Sequence, residues 1–246
     1  MKDEKTVSEA IEYRRSIRVY DPDQPLDTEL VKRCIEQAAL APNSSNMQLW
    51  EFIHITDKAL IKDIAPLCFN QNAARTAQQL LVFVTRKDLW RNRAQANLDM
   101  INRLYPDKPK SEQSRRERVI RTYYSKLIPN VYFDFFGIYG WLKYIMVFMT
   151  GLFRPIYREV RAQDMRVVVH KTCGLAAQNF MISMAAHGYD TCPMEGSNTW
   201  RVKQLLGLPR GAEINMIVSC GIRKSEGVYG ERFRVPFDEV YHRIGD

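Results

Sequence analysis

Apolar positions recur along this chain with two periods, and the switches between them outline its elements. After Asp27, the residues Leu30, Val31, Cys34, Ala38 and Leu40 follow a near-helical spacing that stops before Pro42, with Asp27 placed as the cap. Thr6 to about Tyr13 predicts a shorter helix capped by Thr6 or Ser8, and Lys58 to Cys68 predicts another. Trp50 to Ile55 reads as a strand, while LLVFVT at Leu80–Thr85 and INMIVSC at Ile214–Cys220 read as buried strands. His170 to His187 is apolar nearly all round and closed by Gly188, the pattern of a central helix. Asp190 to Gly196 reads as a strand entering a turn, and Arg201 to Leu206 as a short helix stopped by Gly207. Asp88 to about Lys126 is charge-rich and largely helical, with interruptions near Pro106 and Pro109. The order is α+β, with no regular βαβ alternation and no repeat.

Composition adds little to this picture, and charge adds more. The 246 residues are 46% hydrophobic and 26% charged, as expected of a globular chain. The opening MKDEKTVSEA has no apolar stretch of a secretory signal, so a cytoplasmic location is expected. Five widely spaced cysteines without a C-x-x-C, and four histidines without ligand spacing, predict buried thiols and no metal. The net charge of +8 resides in one place: residues 101–171 hold 14 Lys and Arg against 6 Asp and Glu. No nucleic-acid motif accompanies that excess, so no nucleic-acid partner is expected.

The stretch RRSIRVY at 14–20 sets the chemical question. If it is extended, Arg14, Ser16 and Arg18 share one face, offering two guanidinium forks and a hydroxyl. Such forks suit a phosphate, and they equally suit a solvated basic turn. The chain has no G-x-G-x-x-G after a strand and no G-x-x-x-x-G-K-[ST]. A nucleotide-type cofactor would need a site assembled from scattered residues.

Four separated stretches, taken in order, resemble the flavin-dependent nitroreductase family. They are RRSIRVY at 14–20, PNSSNMQLWEF at 42–52, CPMEG at 192–196 and ERFRVPFDEV at 231–240. The resemblance covers about residues 7–100 and 165–240. It implies a single nitroreductase-like α+β domain over 1–246, a central, mostly antiparallel sheet flanked by helices, and an intertwined homodimer. It also implies FMN as cofactor and NADH or NADPH as reductant. Hydride would pass through flavin N5 to an electron-poor acceptor, such as a nitroaromatic or quinone, in a ping-pong cycle. A dedicated relative, such as a reductive dehalogenase or a flavin-cleaving enzyme, fits the same motifs. So does a membrane- or partner-binding module with a vestigial flavin site.

By the same resemblance, Arg14, Ser16, Arg232 and Arg234 bind the phosphate and ribityl end of FMN, and Arg15 is a further cofactor-binding candidate. Arg18 and Asn70 address the pyrimidine edge, where a fixed cation stabilises charge on the reduced ring. Pro193, Met194, Glu195 and Gly196 form the turn against the ring, with Glu195 and Gly196 at the side where hydride lands. Asn43, Ser44, Ser45 and Asn46 would serve the flavin of the other subunit. Leu49 stands where many relatives have Pro, which is expected to alter loop stiffness and little else. Ala73 replaces a basic residue that some members carry.

Residues 105–165 do not look like the family core and read as an insertion. From Phe135 to Phe153 the only charge is Lys143, and arginines flank the run on both sides. Gly137, Gly140 and Gly151 argue against a membrane span. A dimer-wrapping arm, a lid over the flavin and a peripheral membrane contact through 128–158, at the inner membrane face, all fit. As a lid, Tyr132, Phe136, Tyr139, Trp141 and Tyr144 would dry the pocket.

Overall fold

The structure is a computed structural model that describes residues 4–105, 109, 111–135 and 137–245. Pro106 and Phe136, singled out above, lie outside the described residues. Helix α1 (Val7–Tyr13) starts in a capping box, in which Thr6 and Glu9 satisfy each other's backbone amides. Helix α2 (Thr28–Ala38) is capped by Asp27, which accepts from the Glu29 and Leu30 amides. Its Val31, Cys34 and Ala38 are buried, but Leu40 lies past the helix end and is exposed.

Strands β1 (Trp50–Ile55), β2 (Gln79–Thr85), β3 (Asp190–Met194) and β4 (Glu213–Gly221) form an antiparallel sheet in the order β1-β2-β4-β3. Both faces of the sheet are covered, which explains why β2 reads as unbroken apolar sequence. Leu81 and Phe83 face one core with α2 and helix α9 (Ala162–Ala186). Leu80, Val82 and Val84 face another, against Ile61, Ile64 and Ala65 of helix α3 (Lys58–Leu67). The proline in β3 is tolerated because that strand ends the ladder order; beyond it lies only the single parallel bridge of Ser16 to Thr191.

The short α4 (Asn72–Arg75) precedes β2, and α10 (Thr199–Leu205) precedes β4. Between β2 and α9 lie α5 (Trp90–Leu104), α6 (Arg115–Thr122), a π-helical turn (Tyr123–Leu127), α7 (Ile128–Tyr132) and α8 (Ile138–Thr150). Helix α9 begins at Ala162, eight residues before the expected His170, because Met165 and Val169 pack in a third core with Ala94, Ile128 and Tyr132. Leu49 is buried in that same core, so its departure from the family pattern has a consequence beyond loop stiffness. It anchors the 105–165 segment to the start of β1.

Candidate functional site

The fold brings the two basic ends of the chain together. Residues Arg14 to Arg18 run extended beside β3, where Ile17 donates its amide to Thr191 O at 3.1 Å and buries its side chain. Alternation then turns Ser16 and Arg18 outward into a cleft of about 280 Å³, shared with Arg14, Arg15, Arg232 and Arg234. Arg18 is fixed from behind by its amide, which donates to Gly227 O at 2.8 Å. A Cβ at Gly227 would lie 2.4 Å from Val19 O, so only glycine permits this approach.

The five arginines do not all do the same work. Arg15 Nη2 donates to Gly230 O at 2.8 Å, and Arg232 Nη2 donates to Glu12 O and Arg14 O at 2.6 and 2.7 Å. These two tie the C-terminal tail to the N-terminal segment. Among the described residues, none of the five forms an ion pair, although Glu231 also lines the cleft. Burial, then the Arg232 and Arg234 charges, pulls the Arg14 guanidinium below its usual range. A partly buried cluster of like charge without a paired carboxylate can accept an anion.

Sequence reasoning did not find the anchor of this segment. Buried Asp190 at the start of β3 accepts from the Arg223 amide at 2.7 Å and from its Nε at 2.8 Å. The Arg223 guanidinium lies 4.2 Å from the Tyr13 ring centroid, and Nη2 donates to Tyr13 O. This pair holds the chain one residue before Arg14. No motif marks it, since its members are 33 residues apart and each is an ordinary charge in sequence.

From the arginine cleft a polar ledge leads toward the other expected residues. Tyr229 lines the cleft and accepts from Asn72 Nδ2 at 2.9 Å, and the adjacent Gln71 donates to Gly196 O at 3.0 Å. The Phe69–Gln71 loop is thereby tied to the Pro193–Gly196 turn, with Asn70 and Glu195 exposed on it. A Cβ at Gly196 would meet the Gln71 amide at 3.8 Å and the Phe69 ring at 4.0 Å, ordinary contacts. Nothing in the chain itself therefore requires glycine there. The Met194 side chain is buried in the core beside Ile217 and Val202, so it offers a ligand only its backbone. Ala73 is likewise sealed in that core.

Asn43, Ser44, Ser45 and Asn46 are not in the cleft. Residues 44–46 form a 3₁₀ turn held by α5 and the π-helical turn: Asn46 and Asn97 exchange two bonds at 3.0 Å, and Tyr124 donates to Ser45 O at 3.0 Å. Tyr123 meets the Ser45 hydroxyl beside it. Among the described residues, the non-glycine residues with positive φ are Ser45, Asn46, Gln48, Phe69 and Asn70. All lie in two loops, and for bulky Phe69 that conformation is strained. Strain held in place by neighbouring contacts marks loops shaped for a purpose. Of the lid candidates, Tyr132 is buried, stacked at 6.3 Å on Trp90, Tyr139 donates to Asn130, and Trp141 and Tyr144 pack edge to face. None of them lines the arginine cleft of its own chain.

An antiparallel sheet covered by helices on both faces, with a basic cleft joining the two chain ends, defines a cofactor-binding α+β enzyme. The family model for the nitroreductase family matches residues 11–222, and the chain belongs to that family. Protein DrgA of Synechocystis is 27% identical over 224 residues, spanning 91% of this chain and 87% of DrgA. An NADH dehydrogenase of Thermus thermophilus is 24% identical over 227 residues, 92% of this chain and 90% of that one. Among solved structures, a candidate nitroreductase in complex with FMN from Exiguobacterium sibiricum superposes with a TM-score of 0.67. It is 21% identical and covers 99% of each chain.

Proposed function

We propose that the protein is an FMN-dependent oxidoreductase that draws reducing equivalents from NADH or NADPH and delivers them to an electron-poor organic acceptor. The observation that carries this reading is the uncompensated arginine cleft, built from residues 14–18 and 232–234. When bound, FMN supplies the two-electron carrier that alternates between nucleotide and acceptor in a ping-pong cycle. Arg14, Arg234 and the Ser16 hydroxyl hold its phosphate, with Arg15 and Arg232 closing the cleft behind them. Arg18, its backbone held by Gly227 O, would offer a guanidinium to the ring system, a cation that would favour a reduced, negatively charged flavin. The exposed Asn70 amide and the Glu195 and Gly196 backbone amides would supply hydrogen bonds to the ring. Asn43 to Asn46, outside the cleft of their own chain, serve the equivalent site of a second subunit in a homodimer.

Titration of the apoprotein with FMN, followed by flavin fluorescence, tests this reading. The expected result is saturable binding with one FMN per chain and NAD(P)H-dependent bleaching of the bound flavin. Failure to bind FMN would refute it.

A further inference from the structure

Helix α8 is inside out. Its outward stripe is Ile138, Trp141, Leu142, Ile145, Met149 and Leu152, all about half exposed or more. These positions follow the i, i+3, i+4, i+7 spacing of a face that ordinarily meets a core. The helix's sole charge, Lys143, is turned inward and buried, its ammonium donating to the carbonyls of Asn130, Val131 and Phe133 at 3.0–3.1 Å. Asp134 fixes the helix start by accepting from the Gly137 and Gly140 amides. The apolar face is thus held outward by a satisfied polar network on the inner face. Phe153, 86% exposed, extends it past the helix end.

We propose that this face docks on an anionic lipid surface. Thirteen residues span about 20 Å, less than the roughly 30 Å hydrocarbon core. Among the described residues no helix is long and apolar enough to cross a membrane, so α8 would lie in the interfacial plane. Trp141 on the stripe suits that depth. Charge favours lipid over the same face of a second copy: from Phe135 to Arg158 there is no Asp or Glu. Two such faces brought together would set Arg154 and Arg158 against a patch with no acid, whereas lipid phosphates supply the missing charge. Arg158 is held at the helix end by donating to Gly151 O at 3.0 Å, and neither it nor Arg154 joins an ion pair among the described residues. Arg161, over the Tyr144 ring, is already paired with Asp164 and adds less.

The face lies apart from the arginine cleft, so its test stands whether or not FMN binds. The full chain is floated with vesicles of phosphatidylcholine, with or without about one third phosphatidylglycerol. Flotation with the anionic vesicles is expected, at least tenfold weaker on phosphatidylcholine alone and falling as salt rises. Ile145→Glu with Met149→Glu should abolish it, with helix content by circular dichroism unchanged. Arg154→Ala and Arg158→Ala should each weaken it about fivefold, at about 1 kcal/mol per cation near the surface. Absence of wild-type flotation on anionic vesicles overturns the proposal without reference to any variant. So does flotation that ignores the Glu substitutions, or a halving of solution mass in the double Glu variant, which would assign the face to a second copy.

Discussion

The arginine cleft and the underside of α8 both gather cations away from bulk water, and they settle the charge in opposite ways. At α8 a single ammonium meets three carbonyls of its own chain and is finished; it holds the helix down and has no capacity left for a ligand. In the cleft, among the described residues, none of the five converging guanidiniums is paired with a carboxylate; Arg15, Arg232 and Arg234 donate to backbone carbonyls, and Arg14 is pulled below its usual range by burial and by its like-charged neighbours. Between these extremes stands Arg223, which is matched by buried Asp190 and serves only to place Tyr13 and Arg14. A satisfied buried charge is a structural part. A cluster of cations without a paired carboxylate keeps capacity for an anion.

The contrast can be broken by substitution, and the largest effect is expected in the cleft. Arg14→Ala combined with Arg234→Ala should cost FMN about 3–6 kcal/mol of binding, at roughly 1.5–3 kcal/mol per charge-assisted contact. The apoprotein's melting temperature should stay level or rise, because like-charge repulsion is relieved. An unchanged FMN Kd would mean the anion sits elsewhere. Asp190→Ala should do the reverse, lowering stability by about 3–5 kcal/mol, since it strands Arg223 without its partner. Chemical denaturation of the apoprotein measures this, and a loss below about 1 kcal/mol would show the pair to be dispensable.

Lys143→Ala should follow, with a loss of about 2–3 kcal/mol from carbonyls left without a donor at the end of α7. FMN affinity should be untouched, and that separation is the point of the measurement. A variant that weakens FMN and spares stability would move Lys143 from structural part to site.

Much of the fold was legible because local physics dictates it. The Thr6 and Asp27 caps, the unbroken apolar run of LLVFVT and the glycine stop at Gly188 each act over a few residues. The cleft was legible for a different reason: its arginines are clustered at both chain ends, and a family resemblance joins the two. Lys143 was not legible. In a run of apolar residues a lone lysine reads as the solvent-facing position, and only tertiary structure supplies the three carbonyls that reverse it. Leu49 was underestimated likewise, since the core it enters is completed by Ile128 and Met165, far along the chain. The start of α9 was missed because its first residues, AQDMR, are mostly polar in sequence, and Met165 and Val169 find their partners only in that same core.

The smallest effect concerns a pair intermediate in exposure between the two regions. Glu213 on β4 accepts from Arg166 at 2.5 Å and from His170 at 3.3 Å, and Asn215 bonds the other nitrogen of His170. Burial alone would raise the Glu213 carboxyl, but the Arg166 and His170 partners outweigh it and leave it below the usual carboxylate range. A carboxyl lowered in the folded state contributes stability above its unfolded pKa, about 4.3, and loses it as pH falls through the folded value. Glu213 is 39% exposed, so solvent screening limits the contribution to under about 1 kcal/mol. Glu213→Gln should therefore be slightly less stable than wild type at pH 7, and the gap should close below about pH 4. Urea denaturation at both pH values measures it; a gap that persists in acid would mean that Glu213 acts through packing, and that its charge contributes nothing.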